Sequence, residues 1–150
     1  MLEMTDGQWS TTFNIFSFGL ISMLACTVFT LVSQSRVLPK YRPALVMSSM
    51  VTLIAGYHYW RIFNSFEEST ENGMVKIGSA EGAFNEAYRY VDWILTVPLL
   101  LVEVIAVLAL ARAASKSLMT RLIPASAAMI ALGYPGEISH VISQKVTWGV

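Results

Sequence analysis

The sequence predicts an all-α membrane protein, and three observations carry that expectation. Hydrophobic residues make up 55% of the 150, and Asp, Glu, Lys and Arg together only 13%, about half the usual charged share of a soluble domain. So few charges could not cover the surface of a soluble domain of this length. The apolar residues are gathered into four long stretches, and the first three meet the roughly 20 residues a helix needs to cross the hydrocarbon, the fourth being weaker. The basic residues cluster in two of the links between them.

The stretches follow in order. Segment A, about residues 12–34, reads FNIFSFGLISMLACTVFTLV with no charge inside. Segment B, about 43–64, contains PALVMSSMVTLIAGYHY, and segment C, about 84–111, is apolar apart from Glu86, Arg89, Asp92 and Glu103. Segment D, about 120–138, is weaker, with Pro124, Gly133, Pro135 and Gly136 inside it or near its end. After Gln144-Lys145 the residues VTWGV read as the start of a fifth helix, about 145–150. Residues 1–150 are thus expected to form one transmembrane domain. Met1 to Gly7 carries Glu3 and Asp6 and no basic residue, so a signal peptide is not expected there.

Charge placement orients the bundle. The A–B link holds Arg36, Lys40 and Arg42, and the C–D link Arg112, Lys116 and Arg121. The B–C link holds Glu67, Glu68, Glu71 and Glu81 against Lys76. An excess of Lys and Arg in short loops marks the cytoplasmic side, so the expected topology is a multi-pass cell-membrane protein with its N-terminus extracellular. Within the long B–C link, Asn72-Gly73 followed by alternation in MVKIG predicts an extracellular β-hairpin. Ten Lys+Arg balance ten Asp+Glu, which leaves no global field pointing to nucleic acid. Cys26 stands alone, which excludes an intrachain disulfide framework and a cysteine-based metal site.

Segment C carries the chemistry. Ionisable groups inside a membrane helix are costly and mostly face the bundle interior, so Arg89, Asp92 and Glu103 are functional candidates. At ~100° per residue, Thr96, Leu100, Glu103 and Arg89 lie about +40°, +80°, +20° and +60° from Asp92, on one stripe of the helix. Asp92 and Glu103 are roughly 16 Å apart along the axis, at about 1.5 Å per residue. With C running inward, Arg89 and Asp92 lie toward the outside and Glu103 toward the cytoplasm. Two carboxyls at different depths on one face can pass a proton along a path. The competing structural readings are a static Arg89–Asp92 ion pair and a Glu103 that snorkels or pairs with a polar neighbour.

Segment B adds His58 in GYHYW, at a depth that lets it meet Asp92 across the B–C contact. An imidazole beside a carboxylate stabilises the ionised form and can itself titrate near neutral pH; a membrane histidine is as often a structural hydrogen bonder. His140, in the outer D–E link, reads as solvated.

The run RYVDWILTVPLLLVE resembles the third helix of the microbial rhodopsins, the seven-helix retinal proteins. Asp92, Thr96 and Glu103, with Arg89 before them, resemble the signature of the proteorhodopsin-like outward proton pumps, and His58 is similar to the histidine of the xanthorhodopsin branch. Met129 and Gly133 in MIALGYPGE are similar to the fourth-helix wall around the retinal ring. The resemblance covers essentially the whole chain, to the start of helix five.

It implies a seven-transmembrane-helix bundle and a light-driven ion transporter, not an enzyme. All-trans retinal is implied as the cofactor, joined as a protonated Schiff base to a lysine of the seventh helix. Asp92 is then counterion and proton acceptor, Glu103 the donor from the cytoplasmic side, Arg89 the residue governing release, and His58 a tuner of Asp92 through a hydrogen bond. Trp93, Thr96, Leu100, Met129 and Gly133 would contact the retinal, though for the apolar ones plain packing is the alternative. Leu100 is implied to go with green absorption. Gly149 resembles the glycine that admits a hydroxylated carotenoid antenna in the xanthorhodopsin branch; easing of helix–helix contact is its other reading. Lys40, Lys76, Lys116 and Lys145 all fall in links or at helix ends, so the retinal lysine is expected outside this stretch of sequence. A homo-oligomer in the lipid bilayer is expected.

Two rival functions stand beside the pump. A sensory rhodopsin signalling to a partner has no need of Glu103, and a retinal-free proton-coupled transporter could use the same carboxyls. A lysine midway along a seventh apolar helix would decide between the retinal readings and the transporter.

Overall fold

The computed structural model describes residues 2–71, 74–75, 88–138 and 147. Four helices, α1 (Asp6–Val32), α2 (Arg42–Glu68), α3 (Tyr88–Leu108) and α4 (Arg112–Ile138), pack in chain order, each against the next. Three two-residue strands, β1 (Leu2–Glu3), β2 (Thr70–Glu71) and β3 (Met74–Val75), form one antiparallel sheet in the order β1-β3-β2.

Strands β2 and β3 in the α2–α3 link pair antiparallel, as the hairpin expected there requires, and the N-terminal strand β1 is an addition to it. β3 pairs with β2 on one side and with the N-terminal strand β1 on the other. Two residues per strand are too few for an isolated hairpin to hold in water, and a third strand from a distant part of the chain supplies the missing ladder. Gly149, Lys145, Lys76 and His140 lie outside the described residues, and of the expected fifth helix only Thr147 is described, in helical conformation.

Two helices begin well before their expected starts, each for a local reason. At α1, the Gln8 backbone N–H donates to Thr5 Oγ1 at 3.2 Å and the Thr5 N–H donates to Gln8 Oε1 at 3.0 Å. This reciprocal cap satisfies two otherwise orphaned donors and starts the helix at Asp6. Between α3 and α4 only Ala109, Leu110 and Ala111 intervene, and Ala109 turns the chain with φ of 48°. Arg112, Lys116 and Arg121, expected in a link, lie on α4 instead. The stretch RAASKSLMTR is polar enough to read as a loop, yet Ala, Lys, Leu, Met and Arg are good helix formers.

The burial pattern is turned inside out relative to a soluble domain. Phe18 is 72% exposed and Met129 64%, while Thr27, Thr30, Ser49 and Thr96 are buried. In a bilayer lipid tails cover the apolar exterior, and small or hydroxylated residues let helices meet. Mean hydropathy reaches 2.2 in the α1 span and 2.3 in α3; among the described residues these two are long and apolar enough to cross a membrane on composition alone. The sequence led us to expect four. α2 and α4 are as long as α1, but their packing faces carry Ser, Thr, Gly, His and Pro, which lower the average.

The α1–α2 interface shows what those residues do. Thr27 Oγ1 and Thr52 Oγ1 lie 2.8 Å apart, as do Thr30 Oγ1 and Ser49 Oγ. Each of the four also reaches the carbonyl four residues back on its own helix, at 2.7–3.0 Å. A hydroxyl has one hydrogen, so in each pair one member bonds its own carbonyl and the other bonds across the interface. Nearer the sheet, the gap left by Gly19 admits the Tyr59 ring, which a Cβ there would meet at 2.8 Å. Beyond it Trp9, Phe13, Phe16, Phe63 and Phe66 stack, with ring centroids 4.6–6.2 Å apart. Trp9 Nε1 donates to Thr70 Oγ1 at 3.2 Å and ties the start of α1 to β2.

Because each hydroxyl keeps a carbonyl to fall back on, the interhelical bond should be worth little. A double-mutant cycle of Thr27→Val and Thr52→Val, read by reversible unfolding in mixed micelles, should give a coupling of about 0.6 kcal/mol and no more than ~1.7. A larger coupling would show that the backbone carbonyls do not share the load.

Candidate functional site

The site is built on the contact of α2 with α3. Thr96 is 3% exposed and His58 7%, so both are held inside the helix packing, with the Asp92 carboxyl half-buried beside them. Residues four apart on a helix share a face, which brings Thr96 under Asp92. Thr96 Oγ1 donates to the Asp92 carbonyl at 3.0 Å and stands 3.4 Å from Asp92 Oδ2. With its one hydrogen on the carbonyl, the hydroxyl is held beside the carboxyl.

His58 stands within electrostatic reach of Asp92 from the neighbouring helix, so the sequence-level pairing of these two residues across α2 and α3 is met in space. The hydrogen bond expected between them is not made. His58 Nδ1 and Asp92 Oδ1 are both buried, and neither has a hydrogen-bond partner. The His58 ring instead meets Tyr57 edge-on at 5.3 Å. Buried polar atoms are almost always bonded, and leaving one without a partner costs about 1–3 kcal/mol. Two such atoms on facing helices mark a place where a further donor group or a water belongs.

The other expected residues divide. Glu103 is half-buried on α3, eleven positions after Asp92, which places it three turns away and out of contact with it. Arg89 lies in the first turn of α3 with an exposed side chain. Trp93 and Leu100 are exposed on α3 and Met129 on α4. At Gly133 an added Cβ would meet Tyr90 Cε1 at 3.0 Å, so the ring of Tyr90 lies against it.

The donor set fits a cationic retinal linkage. A carboxylate oxygen that is buried and short of a donor suits a charged N–H, and Trp93, Thr96 and Leu100 flank it on one side of α3. Lys40 and Lys116 are exposed, on the 3-10 turn before α2 and in the second turn of α4. Neither lies on the α2–α3 contact, so among the described residues no lysine stands at the site.

Residues 10–150 match the family model for bacteriorhodopsin-like proteins. The chain belongs to the bacteriorhodopsin-like family. This makes it a microbial rhodopsin, of a family of membrane proteins. It is 37% identical over 123 residues to the green-light absorbing proteorhodopsin of Gamma-proteobacterium EBAC31A08, covering 81% of this chain and 45% of that protein. Among solved structures it is similar to xanthorhodopsin, a light-driven ion pump with dual chromophore, with a TM-score of 0.86 and 44% identity over 97% of this chain and 59% of that one. Thermophilic rhodopsin is similar at a TM-score of 0.88 and 41% identity, over 99% of this chain and 60% of that one. The chain thus spans about half the length of the curated relatives it matches.

Two features of this rhodopsin half escaped the sequence reading. Arg61 Nη2 donates to the Tyr88 hydroxyl at 2.8 Å, and its guanidinium lies 5.0 Å from the same ring. Tyr90 touches Gly133, Trp93 and Tyr134. A signal existed for the first, since an arginine near the end of α2 faces a tyrosine at the start of α3. Nothing in the spacing indicated the second.

Proposed function

We propose that the complete protein carrying this chain is a light-driven outward proton pump that uses retinal. The observation that carries this reading is the buried, unpartnered Asp92 Oδ1, set beside Thr96 and His58 and on the same helix as Glu103. Retinal, held as a cation through a lysine of the complete protein, would supply the light absorption and the proton to be moved, and the residues of this chain would receive that proton and replace it. Asp92 is the counterion and the acceptor of that proton. Thr96, bonded to the Asp92 carbonyl, keeps the carboxyl facing the side where charge must be balanced. His58, within electrostatic reach, stabilises the charged carboxylate and governs when it lets the proton go. Arg89, one turn nearer the outer end, governs onward release. Glu103 supplies a replacement proton from the other side.

Direction follows from order along α3. With Arg36, Lys40, Arg42, Arg112, Lys116 and Arg121 at the cytoplasmic end, Glu103 lies inward of Asp92, so protons enter past Glu103 and leave past Asp92. The similarity to proteorhodopsin and to a light-driven ion pump supports this reading. Trp93, Leu100 and Met129 would form the chromophore wall. Gly149 is proposed as the gap admitting a hydroxylated carotenoid, in keeping with the dual chromophore of xanthorhodopsin.

Three substitutions in the complete protein test the assignment. Asp92→Asn removes the negative charge that stabilises the ground state of a cation, so the absorption band should move to the red and light-driven acidification by cells should vanish. Persistent acidification would remove Asp92 from its role. Glu103→Gln should leave the resting colour unchanged, because roughly 16 Å separates it from Asp92 at about 1.5 Å per residue. It should slow the return to the resting spectrum after a flash by roughly 10²-fold or more, the lower end of the roughly 10²–10⁴ contribution of positioned proton transfer. Flash kinetics identical to the parent would favour a sensor. Leu100→Gln should shift the band to shorter wavelength; a band at the parental position would show that Leu100 lies off the pocket.

A further inference from the structure

The Tyr90 ring is confined on three sides, by Gly133, Trp93 and Tyr134. Gly133 of α4 approaches it so closely that a Cβ there would lie 3.0 Å from Tyr90 Cε1 and 3.5 Å from Oη. Few real Cβ contacts are that short, so any larger residue at 133 requires the ring to give by a few tenths of an ångström. On its own helix, Tyr90 packs at 5.3 Å and 49° against Trp93, three residues on and so a neighbour along the helix surface. Its third contact is Tyr134, edge-on at 6.2 Å and 63°.

Among the described residues the fourth side is open. A groove of about 270 Å³ runs between α3 and α4, lined by Tyr90, Val91, Ile94, Ile130, Ala131 and Tyr134. At ~100° per residue the α3 lining residues centre about 200° from Asp92, and Trp93 and Leu100 lie at about 100° and 80°. The groove is therefore on the far side of α3 from the Asp92–Thr96 stripe. Tyr90 stands between the two, with Trp93 toward the stripe and free space behind it.

We infer that Tyr90 is a positioning residue for Trp93, seated in the gap that Gly133 leaves, and that Gly133 acts on the chromophore wall through this ring. The inference rests on the proposed function only in taking Trp93 as part of that wall. Offset and edge-on aromatic pairs have preferred geometries, so where the Tyr90 ring sits sets the tilt of the indole. A methyl group at 133 pushes the ring toward the groove, where no described residue resists it, and the indole loses its support. Removing the ring does the same directly. The hydroxyl is not needed, because the contacts with Trp93 and Gly133 are made by the ring.

The test is a double-mutant cycle of Gly133→Ala and Tyr90→Leu in the complete protein, with Tyr90→Phe as the conservative variant. It is read in two ways. The first is the fluorescence of Trp93 in the retinal-free protein, taken as the difference from a Trp93→Phe partner of each variant, with its emission maximum and its quenching by acrylamide. The second is the absorption maximum of the retinal-loaded pigment. Gly133→Ala and Tyr90→Leu should each shift the Trp93 emission and move the pigment band by several nanometres. The double variant should look like Tyr90→Leu alone, and Tyr90→Phe should match the parent in both readouts. Additive effects of the two substitutions would overturn the inference, since Gly133 would then act without Tyr90. An unchanged Trp93 emission in Tyr90→Leu would overturn it too. If Gly133→Ala fails to fold, the contrast between Tyr90→Leu and Tyr90→Phe decides alone. If the parent itself forms no pigment, the proposed function fails while the fluorescence arm still decides the role of Tyr90.

Discussion

Every polar group inside this bundle has to find its hydrogen bond within the protein, because the surrounding hydrocarbon offers none. That requirement explains the α1–α2 interface, where Thr27, Thr30, Ser49 and Thr52 fold back onto their own helices and bridge to the neighbour. It explains equally why Thr96 spends its hydrogen on the Asp92 carbonyl. Against such consistent pairing the exceptions carry information. Among the described residues, the buried side-chain atoms without a partner are Ser33 Oγ, His58 Nδ1 and Asp92 Oδ1. Two of the three come from the pair that sequence reasoning placed at the centre of the chemistry. A protein tolerates such costs where function needs a group held ready, and a carboxylate awaiting a donor is in that state.

Helix packing here is governed by where side chains are missing. Gly19 admits Tyr59, a Cβ at Gly56 would meet Met23 Cβ at 3.4 Å, and Gly133 admits Tyr90. Each places an aromatic ring or a flexible side chain against backbone, joining neighbouring helices through contact area in a medium where burying apolar surface adds no hydrophobic driving force. The aromatic cluster from Trp9 to Phe66 and the small three-stranded sheet close the end of the bundle where the N-terminus and the α2–α3 link meet. The opposite end carries the basic residues of the α1–α2 link and of the first turns of α4. The exposed faces of Trp93, Leu100 and Met129 belong to a unit that makes up about half of a rhodopsin's length.

The sequence made the helix count, the order of the helices and the residues of the site legible because those depend on local quantities. Apolar run length, the cost of a charge in hydrocarbon and the angular step between residues are properties of one segment at a time. They sufficed to put Asp92, Thr96 and Glu103 on one stripe and to bring His58 to the depth of Asp92. Boundaries were less legible where capping or propensity overrode polarity. Thr5 and Gln8 extended α1, and the alanine-rich run after Arg112 became helix where its charges suggested a loop.

What only the tertiary structure decided was how the helices are turned about their axes and how closely they approach. No spacing within α4 says that Gly133 meets Tyr90, and none within α2 says that the His58 ring turns edge-on to Tyr57 and leaves its Nδ1 without a partner. The third strand of the sheet comes from residues some seventy positions away along the chain, beyond the reach of any local pattern. Periodicity fixes which residues share a face. Rotation and approach settle which atoms meet, because both come from packing side chains of two helices into one another and neither is a property of either helix alone.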